Sequence, residues 1–336
     1  MSARLAKSSS RFSFCIMFLT LTPNPCLEKT FRVPEFAQGG SFRILPEDAL
    51  ENVGGKGINA ARVAARFGLR AVAIAPLGPN LCAHLEQLAA PEAFELHAVG
   101  VASPTRTCHN IVNASGSTEL LEAGHELSIG DGVYVFEAWR QLLPKCDLAL
   151  IGGSYPPAKH PAWLQHGSIM CAMAQTAGKP LIYDGKGDAF KRAVFSKTPP
   201  WAIKPNLDEA RELLTLPLET REEERAAVRE LRRRGVELVF LSCGARGCWV
   251  GWENEIEWLA APVVETVSAV GSGDSLCGAF AAKYLESGDI WESAMWGVAA
   301  GSANAARLEA AGVGPEEIAP LVPRVKRELG EIRLMS

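Results

Sequence analysis

The chain has 336 residues, 48% of them hydrophobic and 21% charged, with 34 basic against 38 acidic side chains and a formal net charge of −4. That is a globular composition, large enough for one big α/β domain or two smaller ones, and its slightly acidic balance excludes any general attraction to nucleic acid or anionic membrane. Nine cysteines, an odd number with no CxxC pair, exclude a disulfide framework or a zinc site and read as small buried hydrophobes in a reducing cytosol.

At the N-terminus, Arg4, Lys7 and Arg11 precede the apolar run FSFCIMFLTL. At about ten residues the run is too short to span a bilayer, and it passes directly into TPNP, a strand-then-turn signature. Residues 1–12 are expected to be a disordered extension, with Met17 a candidate start. From there the elements alternate. Buried strands are expected at 16–21 (IMFLTL), 71–78 (AVAIAPLG), 147–153 (DLALIGG), 180–185 (PLIYDG), 201–206 (WAIKPN) and 237–244 (ELVFLSCG). Amphipathic helical segments such as INAARVAARFG and LDEARELL lie between them. Alternating strands and helices imply a mostly parallel central sheet with helices on both faces.

Residues 27–53 and 105–122 break the pattern by alternating polar and apolar side chains with period two. The second has a Ser115-Gly116 turn and reads as a hairpin. Both are expected to form a small sheet lying as a lid over the active-site edge of a single α/β domain spanning 13–330.

Two glycine turns carry the chemistry. In NVGGKGINAARVAARFG (52–68), Gly54, Gly55 and Gly57 allow close approach of backbone to a ligand, and a helix follows at once. Lys56 adds a positive charge at the mouth, and Asn59 points from the first turn. The spacing is not that of a Walker A loop. In SAVGSGDSLCGAF (268–280), Gly271, Ser272 and Gly273 can present N–H groups as an anion-binding nest where a helix over 275–286 begins. Asp274 at that point would repel a static phosphate. It makes sense as a base taking a proton from a hydroxyl that attacks phosphorus, with the nest stabilising the charge that develops. The rival reading of Asp274 is a first-turn acid that complements the helix dipole.

GGKGIN and VGSGDSLCGAF together resemble the two signatures of the PfkB-type carbohydrate kinases, which have the ribokinase-like fold. The resemblance runs from about residue 16 to about residue 312. It takes in TPNPCLEKT (22–30), TR (105–106), GGSYPP (152–157), IKPNLDE (203–209) and LSCGARG (241–247), in the family's order. The pattern is most similar to the 1-phosphofructokinase and tagatose-6-phosphate kinase group. It implies an ATP- and Mg²⁺-dependent cytoplasmic kinase, with Asp274 as general base and the backbone of Gly271, Ser272 and Gly273 as anion hole. Asn206 and Glu209 would organise magnesium through water, while Lys204, Ser242, Gly244, Gly247 and Asn304 would lie at the nucleotide. Asn24, Glu28, Gly54, Gly55, Lys56, Asn59 and Ser154 would hold the sugar, and Arg106 its existing phosphate.

The chain departs from the family in places. Glu28 replaces an aspartate, Cys108 and Asn110 stand where the phosphofructokinase pattern often shows an asparagine and a lysine, Ala269 replaces the usual threonine or asparagine before the second turn, and Ser272 replaces its common alanine. The expected substrate is a phosphorylated ketohexose of the fructose 1-phosphate or tagatose 6-phosphate type. A kinase of unphosphorylated sugars or nucleosides and a non-catalytic sugar-phosphate sensor are the alternatives. Pairing of two chains through their lids is expected to give a homodimer.

Overall fold

The computed structural model describes residues 16–114, 116–157 and 160–328; the expected N-terminal extension and Ser115 lie outside them. Its strands are β1 (Met17–Leu21), β2 (Cys26–Arg32), β3 (Ala49–Gly54), β4 (Arg70–Leu77), β5 (Glu95–Gly100), β6 (Arg106–Asn113), β7 (Gly116–Leu121), β8 (Leu148–Gly152), β9 (Leu181–Asp184), β10 (Ala202–Ile203), β11 (Leu238–Ser242), β12 (Gly247–Trp252), β13 (Glu255–Ala260) and β14 (Lys326–Glu328). Its α-helices are α1 (Lys56–Arg66), α2 (Cys82–Ala89), α3 (Ile129–Leu142), α4 (His166–Thr176), α5 (Gly187–Val194), α6 (Leu207–Leu214), α7 (Arg221–Arg233), α8 (Ser272–Ser287), α9 (Ile290–Ala305) and α10 (Pro315–Ile318).

Ten strands form one sheet in the order β14-β13-β12-β11-β10-β9-β8-β1-β4-β5. From β5 to β11 every neighbour is parallel, and β12 to β14 continue antiparallel. Side chains alternate across the pleat, so each strand feeds two cores. Phe18, Leu148, Leu150, Ile182 and Phe240 pack against α1, α2, α8 and α9 on one face. Met17, Leu19, Ile151, Tyr183 and Leu241 pack against the helices α3 to α7 on the other. Being buried on both sides is why these strands read as unbroken apolar runs.

The six expected strands are present, with one shortened: WAIKPN contributes only Ala202–Ile203 to the ladder. Pro205 has no N–H to donate, and Asn206 rejoins Ser242 through an isolated bridge. The edge strand β5 and the antiparallel extension β12 to β14 had no distinct signal, since short apolar runs near a sheet edge carry weak periodicity.

The second sheet has the order β3-β2-β6-β7. Both period-two segments contribute to it, although 34–45 lie outside any strand. Strands β2 and β6, 80 positions apart along the register Cys26↔Arg106, pair in parallel, and β6 and β7 form the expected hairpin.

The main sheet reverses its winding at β1, which has β4 on one side and β8 on the other. Open α/β sheets bind ligands at the carboxyl ends of the strands flanking such a point. Here α1 starts directly against those ends: a Cβ at Gly152 would lie 2.4 Å from the nitrogen of Gly57.

Candidate active site

A cavity of about 600 Å³ opens at this switch point, between the ends of the main strands and the small sheet. Both glycine turns line it, from opposite sides of the sequence.

The first turn is held tightly on β1. Gly55 has φ +126°, and a Cβ there would lie 2.4 Å from Cγ2 of Thr22. At Gly57 a Cβ would lie 2.6 Å from Oγ1 of Thr22 and 2.8 Å from the Leu21 carbonyl. Oγ1 of Thr22 also accepts from the N–H of Ile58 (2.9 Å). A side chain at either glycine would push α1 off the sheet, and with it Lys56 and Asn59, which both face the cavity.

The second turn opens α8. Gly271, with φ +80°, is its N-cap residue, and Asp274 falls in its first turn. The helix begins earlier than the expected 275, so the acid sits on the helix rather than before it. The N–H of Ser272 is already donated to the Ala269 carbonyl (3.1 Å), which leaves Gly271 and Gly273 of the expected trio as backbone donors toward the cavity. Asn304 is fully buried and does not line the cavity. It braces this turn from behind: its amide nitrogen donates to the Val270 carbonyl (2.8 Å) and Oγ of Ser272 (3.0 Å), and its oxygen accepts from the N–H of Ala311 (2.7 Å).

Between the turns lies a compact set of charges. Nζ of Lys56 is 2.8 Å from Oδ1 of Asp184 and 3.2 Å from Oε1 of Glu209. Nζ of Lys204 is 3.2 Å from Oδ2 of Asp184, and the amide of Asn59 donates to Oδ2 of Asp274 at 2.8 Å. Lys56, expected at the sugar, is thus drawn to the centre of the charge cluster. Burial pushes the Asp274 carboxyl up to about 6, helped by the negative charge of Asp184 and opposed by Lys56, Asn59 and Lys204. Burial works on Asp184 in the same direction, but the two ammonium groups overcome it and hold the acid below its ordinary value. Both lysines stay charged: burial disfavours the ammonium, and Asp184 outweighs it.

Asp184 was not singled out in the sequence. It ends the apolar run LIYD, where the chain leaves a buried strand, and it is 1% exposed. An acid at the carboxyl end of a buried strand is the one local cue, and it does not by itself mark a site. Arg62, buried within α1, was also missed among the polar residues of an amphipathic helix.

The small sheet supplies the opposite wall: Cys26 and Glu28 from β2, Arg106, Cys108 and Asn110 from β6. Glu28 is 7% exposed and receives a hydrogen bond from Asn110 (3.2 Å). Burial pushes its carboxyl up to about 7, against the pull of Arg62. Gly54 lies behind this acid, where a Cβ would come within 2.8 Å of the Glu28 side chain. Asn24 and Ser154 line the cavity. So does Arg106, whose Nη2 and Nε donate to the Asn24 carbonyl (2.8 and 3.2 Å) and whose Nη1 donates to the Glu122 carbonyl (2.7 Å).

The remaining wall contains Lys204, Asn206, Glu209, Ser242, Gly244 and Gly247. Asn206 and Glu209 form a reciprocal capping box on α6: Oδ1 of Asn206 accepts from the N–H of Glu209 (2.8 Å), and Oε2 of Glu209 accepts from the N–H of Asn206 (2.9 Å). The cap and a ligand role are compatible here, because Oε1 of Glu209 is turned to Lys56. Among the described residues no cluster of three His, Cys, Asp or Glu side chains is arranged to hold a metal. The nearby oxygen donors, Glu209 and Asp184, are each already paired with lysine. This donor set suits a divalent cation that keeps its own water and rests on phosphate oxygens, not one caged by protein.

Residues 40–316 match the sequence model of the family described as pfkB family carbohydrate kinase. Among solved structures, phosphofructokinase-2 from Escherichia coli in complex with substrates and products is similar at a TM-score of 0.81 and 26% identity, over 92% of this chain and 99% of that one. A Thermotoga maritima protein described as a possible 1-phosphofructokinase superposes at 0.84 with 19% identity, over 94% of this chain and 100% of that one. The mostly parallel sheet with helices on both faces and a small separate sheet is the ribokinase-like fold. Two glycine turns, an acid at a helix N-terminus and the family match over most of the length lead to one conclusion: the chain belongs to the pfkB family of carbohydrate kinases and is an ATP-dependent sugar kinase.

Proposed function

We propose that the protein transfers the terminal phosphoryl group of Mg-ATP to a hydroxyl of a phosphorylated ketohexose, of the fructose 1-phosphate or tagatose 6-phosphate type. The observation that carries the reading is Asp274, a buried carboxyl raised to about 6 at the N-terminus of α8, between two ammonium groups and a glycine turn. A base poised near neutral pH accepts a proton efficiently without being protonated beforehand. Asp274 takes the proton of the acceptor hydroxyl as its oxygen attacks phosphorus. The N–H groups of Gly271 and Gly273, with the α8 dipole behind them, stabilise the charge that develops on the phosphoryl oxygens. Lys56 and Lys204 add positive charge on the same side. Magnesium, held through water near Asn206 and Glu209, would neutralise the ATP phosphates. Ser242, Gly244 and Gly247 line the nucleotide side, and Asn24, Glu28, Asn59 and Ser154 the sugar side.

Support for a phosphorylated acceptor comes from Arg106 on the small sheet and Lys186 at the start of α5, which both line the cavity, and from a similar E. coli phosphofructokinase-2 in complex with fructose-6-phosphate, 26% identical. One observation favours a neutral sugar instead. The Arg106 fork already donates to two backbone carbonyls, and Glu28 and Glu119 share its wall. ADP release from Mg-ATP, measured with fructose 1-phosphate, fructose 6-phosphate, tagatose 6-phosphate, free hexoses, ribose and adenosine, separates the two. Turnover confined to unphosphorylated acceptors overturns the first reading.

Pairing of two chains through the small sheets belongs to the same proposal. Strand β7 is the edge of its sheet, is exposed along its length, and carries Leu120 and Leu121 at 55% and 53% exposure. An uncovered apolar edge is a liability that a second copy would remove. A monomer at micromolar concentration in a sizing experiment overturns it.

A further inference from the structure

Arg62 is one of the largest fully buried side chains, at 1% exposure, and it does not line the cavity. All three of its nitrogens donate: Nε to Oε1 of Glu92 (2.7 Å), Nη1 to Oδ1 of Asn59 (2.7 Å) and Nη2 to the carbonyl of Val53 (2.8 Å). Its guanidinium carbon lies 5.6 Å from the centre of the Phe94 ring. The next link in the chain is the amide of Asn59, which donates to Asp274.

A primary amide can present either its oxygen or its nitrogen to a neighbour. A guanidinium has donors only, so the atom it meets must be an acceptor. Arg62 therefore fixes which way Asn59 is turned: oxygen toward Arg62, N–H toward Asp274. The opposite rotamer would set the guanidinium against an NH₂ group and the amide oxygen against a carboxylate. We propose that Arg62 is a positioning residue for the general base, acting through Asn59 by locking that amide so that its N–H faces the Asp274 carboxylate. The lock has a second anchor in the Val53 carbonyl on β3, so the orientation of the amide is tied to the seating of the small sheet.

The inference rests on the reading of Asp274 as the base. A hydrogen bond to the ionised form of an acid lowers its pKa, so losing it makes the base harder to keep ionised. The other groups facing Asp274 are Lys56 from α1, Asp184 from β9, Lys204 after β10, Glu28 from β2 and Cys277 on α8 itself. Of these, only Glu28 feels Arg62 directly, through a charge that lowers its pKa, and the Asn59→Ala background separates that direct charge effect from the relay through the amide.

The test is the pH profile of kcat, taken at saturating Mg-ATP and the acceptor of highest turnover, in a double-mutant cycle with Asn59→Ala. Arg62→Met is expected to move the acidic limb up by about one pH unit, the scale of one hydrogen bond to a charged group. Arg62→Lys, which keeps the charge and one donor, is expected to move it less. In the Asn59→Ala background neither change is expected to move it further. A shift of the same size in that background means Arg62 acts by charge alone and overturns the proposal, as does no shift in the wild-type background. If Arg62→Met does not fold, Arg62→Lys read through the same cycle decides. Loss of the parent reading looks different: Asp274→Asn would then retain turnover, whatever the variants at 62 do.

Discussion

Lys56, in the first turn of α1, and Asp184, at the end of β9, meet at 2.8 Å although 128 residues separate them in the chain. Lys204 reaches the same acid through its other oxygen, so one carboxylate holds two ammonium groups, that of Lys204 buried and that of Lys56 partly exposed, beside the glycine turn that begins α8. Asp184→Asn is expected to cost about 3–5 kcal/mol, because it leaves the buried Lys204 ammonium without its partner and Lys56 with Glu209 alone. The folded pKa of Asp184 lies below its ordinary value, so its contribution is present at neutral pH and is lost as pH falls through that lowered value. Urea unfolding of both proteins at pH 7 and in acid checks this: the gap should be full at pH 7 and should narrow in acid. Since Asp184 also raises the pKa of Asp274, the acidic limb of kcat in this variant should move down, opposite to the effect of Arg62→Met.

Asp274→Asn keeps the shape of the side chain and removes the base. It should lower kcat by a factor on the order of 10² to 10⁴, while nucleotide and sugar binding by calorimetry change little. Near-wild-type turnover would remove Asp274 from that role.

A methyl group at residue 273 would lie 2.8 Å from Nζ of Lys204. That ammonium is pinned by Asp184 and is 4% exposed, so it has little room to yield. Gly273→Ala is expected to displace Lys204 from the turn and lower kcat by roughly 10²-fold, the scale of a small misplacement at a reacting centre. A crystal structure of the variant with Lys204 in place and full activity would count against it.

His166 starts α4 between Phe136, Tyr155 and Trp163, with ring centroids 4.4, 6.0 and 4.0 Å away. Burial pushes its pKa down to about 4. Between about pH 6.5 and 4 the unfolded chain therefore binds a proton at this residue that the folded chain refuses. Stability should fall as pH drops through that window, by about 2 kcal/mol between pH 7 and pH 5 from this residue alone. His166→Phe should flatten that part of the curve in thermal melts. An unchanged pH dependence in the variant would show that His166 is not the group responsible.

Much of this molecule is legible in the order of its residues. The apolar runs from 16 to 244 became strands because each is buried on two faces and has no polar alternation to confuse it. The turns at 54–57 and 271–273 could be located because glycine is needed where a Cβ would fall within 3 Å of neighbouring backbone, as it would at Gly57 against the Leu21 carbonyl and at Gly271 against the nitrogen of Ala311. Asp274 stood out because an acid beside an anion nest requires a chemical reason. The small sheet was visible as period-two alternation, though not the parallel pairing of β2 with β6, which depends on segments 80 positions apart.

What only the tertiary structure decided is which charges meet. Asp184 reads as the end of a strand and Arg62 as one more polar residue on an amphipathic helix, and nothing local marks either as part of a site. Their significance comes from burial: a carboxylate or guanidinium removed from water must find its partners within hydrogen-bond distance, and those partners are supplied by other elements, α1 and the β10 end for Asp184, the small sheet and the chain after α2 for Arg62. In the same way the sequence offered Arg106 as a free guanidinium, and the fold has already engaged it with the carbonyls of Asn24 and Glu122. Residue type and spacing set the chemistry available, and the pairing of buried charges across distant strands set how it is used.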